Sequence, residues 1–239
     1  AATPGDCFYA AYEASRIALK YMTPVVLLTD GYLANGSEPW KIPDVDSMES
    51  IDVQFVDGLK EGEEFMPYKR DEDTLSRPWA IPGVPGLEHR VGGLEKAENT
   101  GHVSYDPDNH QRMVELRQEK VDRIQNDIAK TEVFGEENGD VLILSWGGTY
   151  GSCRSAVETL HDQEKSVSHV HVRWISPLPK DLGEIIIKFK NVLIPEINMG
   201  QLIKIIRSEY LVDAKGLNQV NGKPISASRI VEKVNEMVG

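Results

Sequence analysis

The apolar and polar positions of this chain follow a strand pattern in some stretches and a helical pattern in others. From residue 139 onward, short strand-like stretches alternate with stretches that have helical spacing. The pattern predicts strands at 141–146, 167–174, 192–194 and 216–220, and helices at 152–161, 180–189, 199–209 and 227–238. Strands that alternate with helices form a parallel sheet covered by helices on both faces. The last hundred residues are therefore predicted to be an α/β domain of this kind.

The first 45 residues predict one helix and one strand, which is only part of a strand–helix repeat. Residues 6–21 read as a helix, and the apolar run 25–28, which follows Pro24, reads as a short buried strand. A parallel strand needs neighbours for its hydrogen-bond ladder, and nothing upstream in this chain supplies one. Two interpretations stay open: the segment is the end of a larger α/β unit, or it adds to the edge of the later sheet.

Residues 34–110 carry little periodic signal and contain seven prolines. Such a long irregular stretch is unusual inside a compact domain, so it is interpreted as a connector that runs over other surfaces. Two short strands are predicted in it, at 53–56 and near Leu87. A long helix follows at about 109–130, with Asp108 or Asn109 as its N-cap. Its apolar face is predicted to be Val114, Val121, Ile124 and Ile128.

Charge and composition narrow the functional classes. The chain has 239 residues and a net charge of −12, and the 27 acidic and 14 basic residues of the first 138 account for the excess. Such a chain repels phosphate backbones, which argues against nucleic-acid binding. No apolar run reaches the roughly 20 residues that cross a membrane, and the first residues lack the features of a signal peptide, so a cytoplasmic location is expected.

The two cysteines, Cys7 and Cys153, set a limit on redox chemistry. An iron–sulfur cluster usually takes four thiolates, so this chain is not expected to hold one by itself. A disulfide is not expected in a cytoplasmic protein, and both side chains are interpreted as small buried residues.

Six residues are candidates for cofactor or ligand binding. Gly148 and Thr149 belong to a glycine-rich turn between a predicted strand and helix, where backbone N–H groups either bind an anion or simply form a tight turn. Glu196, Asn198 and Gln201 follow the third predicted strand, at the end of the sheet where such folds bind ligands. They are candidates for contacts with a partner subunit, a substrate or coenzyme A, although Asn198 alternatively caps the next helix.

Asp30 is the sixth candidate, because it ends the first predicted strand. Its plainer role is to cap a turn or to accept hydrogen bonds from backbone amides.

The histidines lack metal-ligand spacing: His89, His102 and His110 lie in the connector, and His161 is expected on a helix surface. His169 and His171 share one face of a strand and are interpreted as sheet packing or surface. No catalytic residue and no metal site is predicted.

Several motifs together carry a family resemblance. They are the sequence LTDGYLANGSEPWKIP at 28–43, PGLEHRVGGLE at 85–95, GHVS at 101–104, and DNH at 108–110. Supporting them in the same order are Trp146-Gly147, Pro177-Leu178-Pro179, and Glu196-x-Asn198-x-Gly200-Gln201. The chain resembles the α subunit of the 2-oxoacid:ferredoxin oxidoreductases, and most closely the 2-oxoglutarate branch.

The resemblance implies a domain plan. Residues 1–45 would be a remnant of the thiamine-binding, pyrimidine-side domain, 46–136 a connector with the long helix, and 137–239 a transketolase C-terminal-like α/β domain. The glutamate that activates the aminopyrimidine in this family would lie outside the chain, so no catalytic residue is carried over. The chain is expected to bind no cofactor alone, although thiamine diphosphate, magnesium and iron–sulfur clusters are implied for the whole complex.

The implied activity is oxidative decarboxylation of a 2-oxoacid, with acyl transfer to coenzyme A and electrons passing to ferredoxin. The implied partners are the β subunit and, through the complex, ferredoxin, and the chain is expected to be oligomeric. The isolated chain is expected to be inactive. Two other interpretations stay open: a stand-alone nucleotide-binding domain that uses the Gly147 turn, or a purely structural assembly domain.

Overall fold

The computed structural model describes residues 1–239 as two compact units. The first comprises 1–11, 27–41 and 128–239, and the second comprises 12–26 and 42–127. In chain order the elements are α1 (Asp6–Tyr21), α2 (Gly31–Asn35), β1 (Phe55–Val56), β2 (Trp79–Ala80), α3 (Pro107–Arg123), β3 (Val133–Phe134), β4 (Gly139–Ser145), α4 (Tyr150–Asp162), β5 (Val167–His171), α5 (Leu182–Ile186), β6 (Phe189–Glu196), α6 (Leu202–Tyr210), β7 (Lys215–Asn218) and α7 (Ala227–Val238).

A five-stranded sheet organises the first unit. Its strand order is β3-β5-β4-β6-β7, and the four strands from β4 to β7 are parallel. The predicted parallel α/β sheet is thus confirmed. The short edge strand β3, which pairs antiparallel with β5, was missed because two residues carry no periodicity.

The sheet is buried on both faces, as the uninterrupted apolar runs at 141–144 and 192–194 predict. On one face Leu142, Leu144 and Ile194 pack with residues of α5 and α6. On the other face Val141 and Ile143 pack with residues of α4 and α7. Each strand therefore contributes alternate side chains to two separate cores.

Two predicted boundaries around α5 were wrong. The helix predicted at 180–189 has only the five residues of α5, because Phe189 already pairs with Gly139 at the start of β6. The strand predicted at 167–174 ends at His171. Both errors arise because apolar residues fill strands and helix faces alike, so composition alone does not fix where one element ends.

The strand predicted at 25–28 is absent. Residues 24–30 are irregular, with no ladder partner, and Val26 is 79% exposed. The apolar run was interpreted as evidence of burial, but no neighbouring strand of this chain pairs with it.

The second unit has little regular structure apart from α3 and part of α1. The strand predicted at 53–56 is confirmed in its last two residues, β1, which pair parallel with β2. The strand predicted near Leu87 was wrong: Leu87 is buried in a turn, and its N–H bonds to the carbonyl of Val84. Burial of that leucine, rather than strand pairing, explains its apolar character.

The long helix begins earlier than predicted. Asp106, rather than Asp108 or Asn109, is the N-cap, because Pro107 takes the first helical position and the Asp106 side chain accepts from the two amides that follow it. The helix ends at Arg123 and passes into a single 3₁₀ turn, Ile124–Asn126. The predicted burial of Ile124 is confirmed, and Met113 and Leu116 are buried with it, whereas Val114 was wrongly placed on the apolar face and is 45% exposed.

The cysteines occupy different environments. Cys153 is fully buried in α4, and burial raises the pKa of its thiol to about 12, which makes it an inert packing residue. Cys7 in α1 is only half-buried.

None of the helices combines the length and apolar character that crossing a lipid bilayer requires.

Candidate functional site

The six candidate residues converge on the carboxyl edge of the sheet, in the first unit. β4 lies between β5 and β6. The chain passes from β4 to β5 on one side and then crosses back to β6 on the other side, so the topological switch point lies between β4 and β6. Open parallel sheets bind ligands in the crevice at this position. Gly148 and Thr149 follow β4, and the run from Glu196 to Gln201 closes and follows β6.

Asp30 contacts the turn after β4 directly. One carboxylate oxygen accepts a hydrogen bond from the Gly148 N–H at 2.6 Å. The other oxygen accepts from the N–H groups of Tyr32 and Leu33 at 3.0 and 3.1 Å, which caps α2. The capping role expected for Asp30 is confirmed, and the same side chain also fastens α2 to the sheet.

This contact depends on glycine at two positions. Gly147 has a φ of +56°, a conformation that residues with a side chain rarely adopt. A Cβ at Gly148 would lie 2.4 Å from an Asp30 carboxylate oxygen. The two glycines therefore allow the Asp30 side chain to come close to the turn. The motif is a tight turn whose free N–H group bonds to a carboxylate.

Thr149 is buried and stabilises the same turn. Its hydroxyl donates to the Trp146 carbonyl at 2.7 Å and accepts from the Trp146 N–H at 3.3 Å. Both hydrogen-bonding roles of the hydroxyl are used locally, so Thr149 shapes the turn.

Glu196 is fully buried (0% exposed) at the end of β6. One oxygen accepts from the Trp146 indole N–H at 3.3 Å, from the Asn198 amide at 3.2 Å and from the Leu202 N–H at 2.8 Å. The other accepts from the Ile203 N–H at 3.1 Å. The carboxylate thus sits at the N-terminus of α6, where the helix dipole favours negative charge.

Asn198 and Gln201 lie at the start of α6. The Asn198 side-chain oxygen accepts from the N–H groups of Gly200 and Gln201 at 2.8 and 3.0 Å. Its backbone carbonyl accepts at 2.9 Å from the side-chain amide of Asn218, the last residue of β7. Asn198 therefore orders the turn that leads into α6, close to the capping role considered for it, while Glu196 takes the first amides of the helix itself. Gln201 is exposed.

The backbone N–H groups at the switch-point crevice already donate to carboxylates of this chain. The Gly148 N–H donates to Asp30, and the first N–H groups of α6 donate to Glu196. A phosphate would have to displace a negative charge at either place. This geometry counts against the nucleotide-binding interpretation of the Gly147 turn.

Sequence reasoning missed a polar cluster on the neighbouring strand. The hydroxyl of Ser145, at the end of β4, lies 2.6 Å from Nε2 of His169 and 2.8 Å from Nδ1 of His171. The Tyr150 ring packs against both imidazoles. The alternating spacing of the histidines did predict that they share a face, and their packing role is confirmed.

Burial keeps both histidines neutral. It lowers the pKa of His169 to about 4, with a smaller effect from the Arg154 charge, and the pKa of His171 to about 3, with a smaller effect from His169. Both rings line a cleft of about 610 Å³ in the first unit, together with Phe134 and Arg173.

The connector histidines are engaged in local contacts. Nδ1 of His89 lies 2.8 Å from the Leu87 carbonyl, and Nδ1 of His110 lies 2.7 Å from the Glu95 carboxylate. No three His, Cys, Asp or Glu side chains of residues 1–239 are grouped so that they could hold a metal ion.

Comparison with known proteins identifies relatives of the whole chain. Residues 1–106 match the family described as pyruvate flavodoxin/ferredoxin oxidoreductase, thiamine diphosphate-binding. The chain is 45% identical over 229 residues to the 2-oxoglutarate oxidoreductase subunit KorA of Mycobacterium tuberculosis, covering 95% of this chain and 34% of that protein. It is 27% identical to 2-oxoacid:ferredoxin oxidoreductase 1, subunit alpha, of Aeropyrum pernix, covering 98% of this chain and 37% of that one.

A solved structure extends the likeness to three dimensions. The 2-oxoglutarate:ferredoxin oxidoreductase from Magnetococcus marinus, determined with 2-oxoglutarate, coenzyme A and succinyl-CoA bound, superposes with a TM-score of 0.92 at 30% identity. The match covers 100% of this chain and 41% of that one. The chain spans about a third of the length of these two curated relatives. On this sequence and structural likeness, the chain belongs to the family of 2-oxoacid:ferredoxin oxidoreductase α subunits.

Proposed function

We propose that this chain forms part of the α subunit of a thiamine diphosphate-dependent 2-oxoacid:ferredoxin oxidoreductase. The enzyme would decarboxylate a 2-oxoacid oxidatively, with 2-oxoglutarate as the preferred substrate, transfer the acyl group to coenzyme A and pass electrons to ferredoxin. The single observation that carries the proposal is the 45% identity to a 2-oxoglutarate oxidoreductase subunit over 95% of this chain.

The substrate preference rests on the same likeness. Both that relative and the solved structure with a TM-score of 0.92 are named for 2-oxoglutarate. Relatives named for 2-oxoacids in general are 24–28% identical. Two subunits named for 2-oxoglutarate synthase are 24% and 22% identical, so the preference rests on the two more similar proteins.

The residues of this chain do not fit the redox and diphosphate groups of such an enzyme. Four thiolates are needed for an iron–sulfur cluster, and the chain has Cys7 and Cys153, of which the second is fully buried. The amides that would suit a diphosphate already bond to Asp30 and Glu196. The cofactors would therefore be held by other parts of the complex, and no catalytic step is assigned to this chain.

The role that fits this geometry is structural support of the enzyme. The α2 segment carries the family motif at 28–43, and Asp30 anchors that segment to the sheet of the same unit. The apolar side chains of Leu28, Tyr32 and Trp40 in the same segment remain exposed, as expected of a surface that contacts other parts of an assembly.

The test is affinity purification of the enzyme through a tag on this chain, followed by an assay of substrate-dependent reduction of ferredoxin. We expect reduction that requires both coenzyme A and a 2-oxoacid, with a higher kcat/KM for 2-oxoglutarate than for pyruvate. A purified assembly without 2-oxoacid-dependent reduction would contradict the proposed activity. Equal or better use of pyruvate would contradict the substrate assignment alone.

A calorimetric titration tests the assignment of the cofactor. Thiamine diphosphate with Mg²⁺ is titrated into the isolated chain and, in parallel, into the purified assembly. We expect micromolar binding only in the assembly. Micromolar binding to the isolated chain would show that it forms a complete cofactor site, contrary to the proposal.

A further inference from the structure

A cluster of three cations in the second unit lacks acidic partners. Arg70 and Arg77 flank a short loop, and Lys120 lies on α3. The ion pairs of this unit engage other cations, such as Arg123 with Glu119, and none of them involves Arg70, Arg77 or Lys120. This is unexpected in a region whose sequence is strongly acidic.

The loop between the arginines is closed and well ordered by hydrogen bonds. The Asp71 N–H donates to the Ser76 carbonyl at 2.8 Å, and the Leu75 N–H donates to the Asp71 carbonyl at 3.1 Å. The Asp71 carboxylate accepts from the Asp73 and Thr74 amides and from the Thr74 hydroxyl. Asp71 is therefore turned into its own loop, and Arg70 and Arg77 are held at the two ends of a tight turn.

Leu75 fixes this loop against α3. It is buried and packs with Met113 and Leu116. Lys120 follows Met113 by seven residues and Leu116 by four, so all three lie on one face of the helix. The Arg70 guanidinium reaches this face, because it donates to the Met113 sulfur at 3.5 Å.

An aromatic ring completes the cluster. The Arg77 guanidinium lies 5.3 Å from the centroid of the Tyr68 ring, and the buried Lys96 ammonium lies 6.0 Å from the same centroid. Lys96 is engaged by the carbonyls of Gly92 and Leu94. Both Arg77 and Lys96 therefore lie close to the Tyr68 ring, and of these two cations only Lys96 is bonded to backbone carbonyls.

The electrostatics agree with this placement. Burial, and then the charges of Arg70 and Arg77, lower the pKa of Lys120 to about 8. Burial also lowers the pKa of Arg70, against the opposing effect of Glu98. Half-buried cations that repel one another are costly unless an anion joins them.

We propose that Arg70, Arg77 and Lys120 form a binding site for the phosphate group of a small molecule. Two guanidinium groups and an ammonium group supply several N–H donors and three positive charges, which match a tetrahedral dianion better than a single carboxylate. A phosphate monoester, whose second pKa is about 6, is largely dianionic at neutral pH and above. The site lies within the second unit and does not depend on the proposed enzymatic function.

The test compares thermal unfolding of the chain in inorganic phosphate and in sodium chloride of equal ionic strength at pH 7.5. At phosphate concentrations tenfold above the dissociation constant we expect the midpoint to rise by about 3 °C over the chloride control. Lys120→Met keeps the apolar stem and removes the charge. We expect this variant to lose the phosphate effect and, because a repulsive charge is gone, to unfold at a higher temperature than the parent without phosphate.

Two further variants sharpen the result. Arg77→Gln should also lose the phosphate effect, whereas Lys204→Gln, which removes one exposed charge from α6, should keep it. Adenosine 5′-phosphate separates the sources: a shift as large as that of inorganic phosphate indicates an ester ligand, and a smaller one indicates free phosphate. Equal midpoints in phosphate and chloride, or a phosphate effect that survives Lys120→Met, would overturn the proposal.

Discussion

A carboxylate oxygen of Asp30 accepts the backbone N–H of Gly148 at 2.6 Å, across 118 residues of sequence. The same side chain caps α2 through the amides of Tyr32 and Leu33. One aspartate therefore both ends an extended segment and attaches it to the first turn after β4. The consequences of this arrangement are measurable.

Removing the Asp30 carboxylate should destabilise the chain. Asp30→Ala loses the cap and the bond to Gly148, and we expect the free energy of unfolding to fall by about 2–3 kcal/mol. Asp106→Ala is the matched control, because Asp106 also caps a helix through two amides but makes no long-range bond; it should cost about 1 kcal/mol. Urea unfolding measures both, and equal costs would show that the Gly148 contact contributes nothing.

A methyl group at residue 148 should separate the two partners. Because the added Cβ would meet the Asp30 carboxylate at 2.4 Å, we expect Gly148→Ala to lower the free energy of unfolding by about 1–3 kcal/mol. Gly151→Ala provides the opposite control: Gly151 lies in α4 with nothing within 4 Å of the new methyl, so it should stabilise by about 0.5–1 kcal/mol. If both glycines respond alike, close approach is not what residue 148 provides.

Glu196→Gln should be costly although it is nearly isosteric. The glutamine amide nitrogen cannot accept, so at least one of the four donors, from Trp146, Asn198, Leu202 or Ile203, is left without a partner in a buried position. We expect a loss of about 1–3 kcal/mol by urea unfolding. Glu158→Gln, at an exposed pair with Arg154, should cost less than about 0.5 kcal/mol.

His169 and His171 should make stability depend on acidity. An unfolded histidine takes up a proton near pH 6.5, whereas these buried rings do so only at about pH 4 and 3. As pH falls through this window, the unfolded chain binds more protons than the folded one. The free energy of unfolding that is linked to these two rings is therefore fully present above about pH 6.5 and decreases below it. Each ring should contribute a slope of up to about 1.4 kcal/mol per pH unit.

The comparison is between the parent chain and His169→Phe, which keeps a ring and leaves Ser145 bonded to His171. Urea unfolding at pH 7.5, 6 and 5 should show a shallower decline for the variant. His161→Phe is the control, since His161 is exposed and bonds to the Val167 carbonyl. Parallel declines for the parent and His169→Phe would mean that His169 is not held neutral by the fold.

The sheet was predictable because its signal is local. The apolar runs at Val141 and Val192 are continuous, as buried parallel strands require, whereas residues 167–171 alternate valine with polar residues. Ser226 caps α7 where the helix was predicted to begin. The run at 25–28 has the same composition but no partner strand, and residue type cannot reveal a missing neighbour. The short strands β1, β2 and β3 depend wholly on partners distant in sequence.

Sequence reasoning placed the candidate residues at strand ends, but it did not predict the contacts that their side chains make. Strand ends pointed to Gly148, Thr149, Glu196 and Asn198, which do share one edge of the sheet. Trp146 was not chosen as a site residue, yet its indole joins the two turns through Glu196. No sequence signal shows that a carboxylate will face inward, because the same residue type is usually exposed. The role of Asp30 depended on a contact 118 residues away, for which local pattern carries no information.

That long-range contact also affects how the protein is made. During synthesis, the segment that carries Asp30 leaves the ribosome well before the 118th residue after it has been added. Until then α2 has its local cap and no anchor, and Leu33, which is buried in the finished fold, is open to solvent. The nascent chain is consequently vulnerable in this interval, and completion of the β4 turn is the step that ends it.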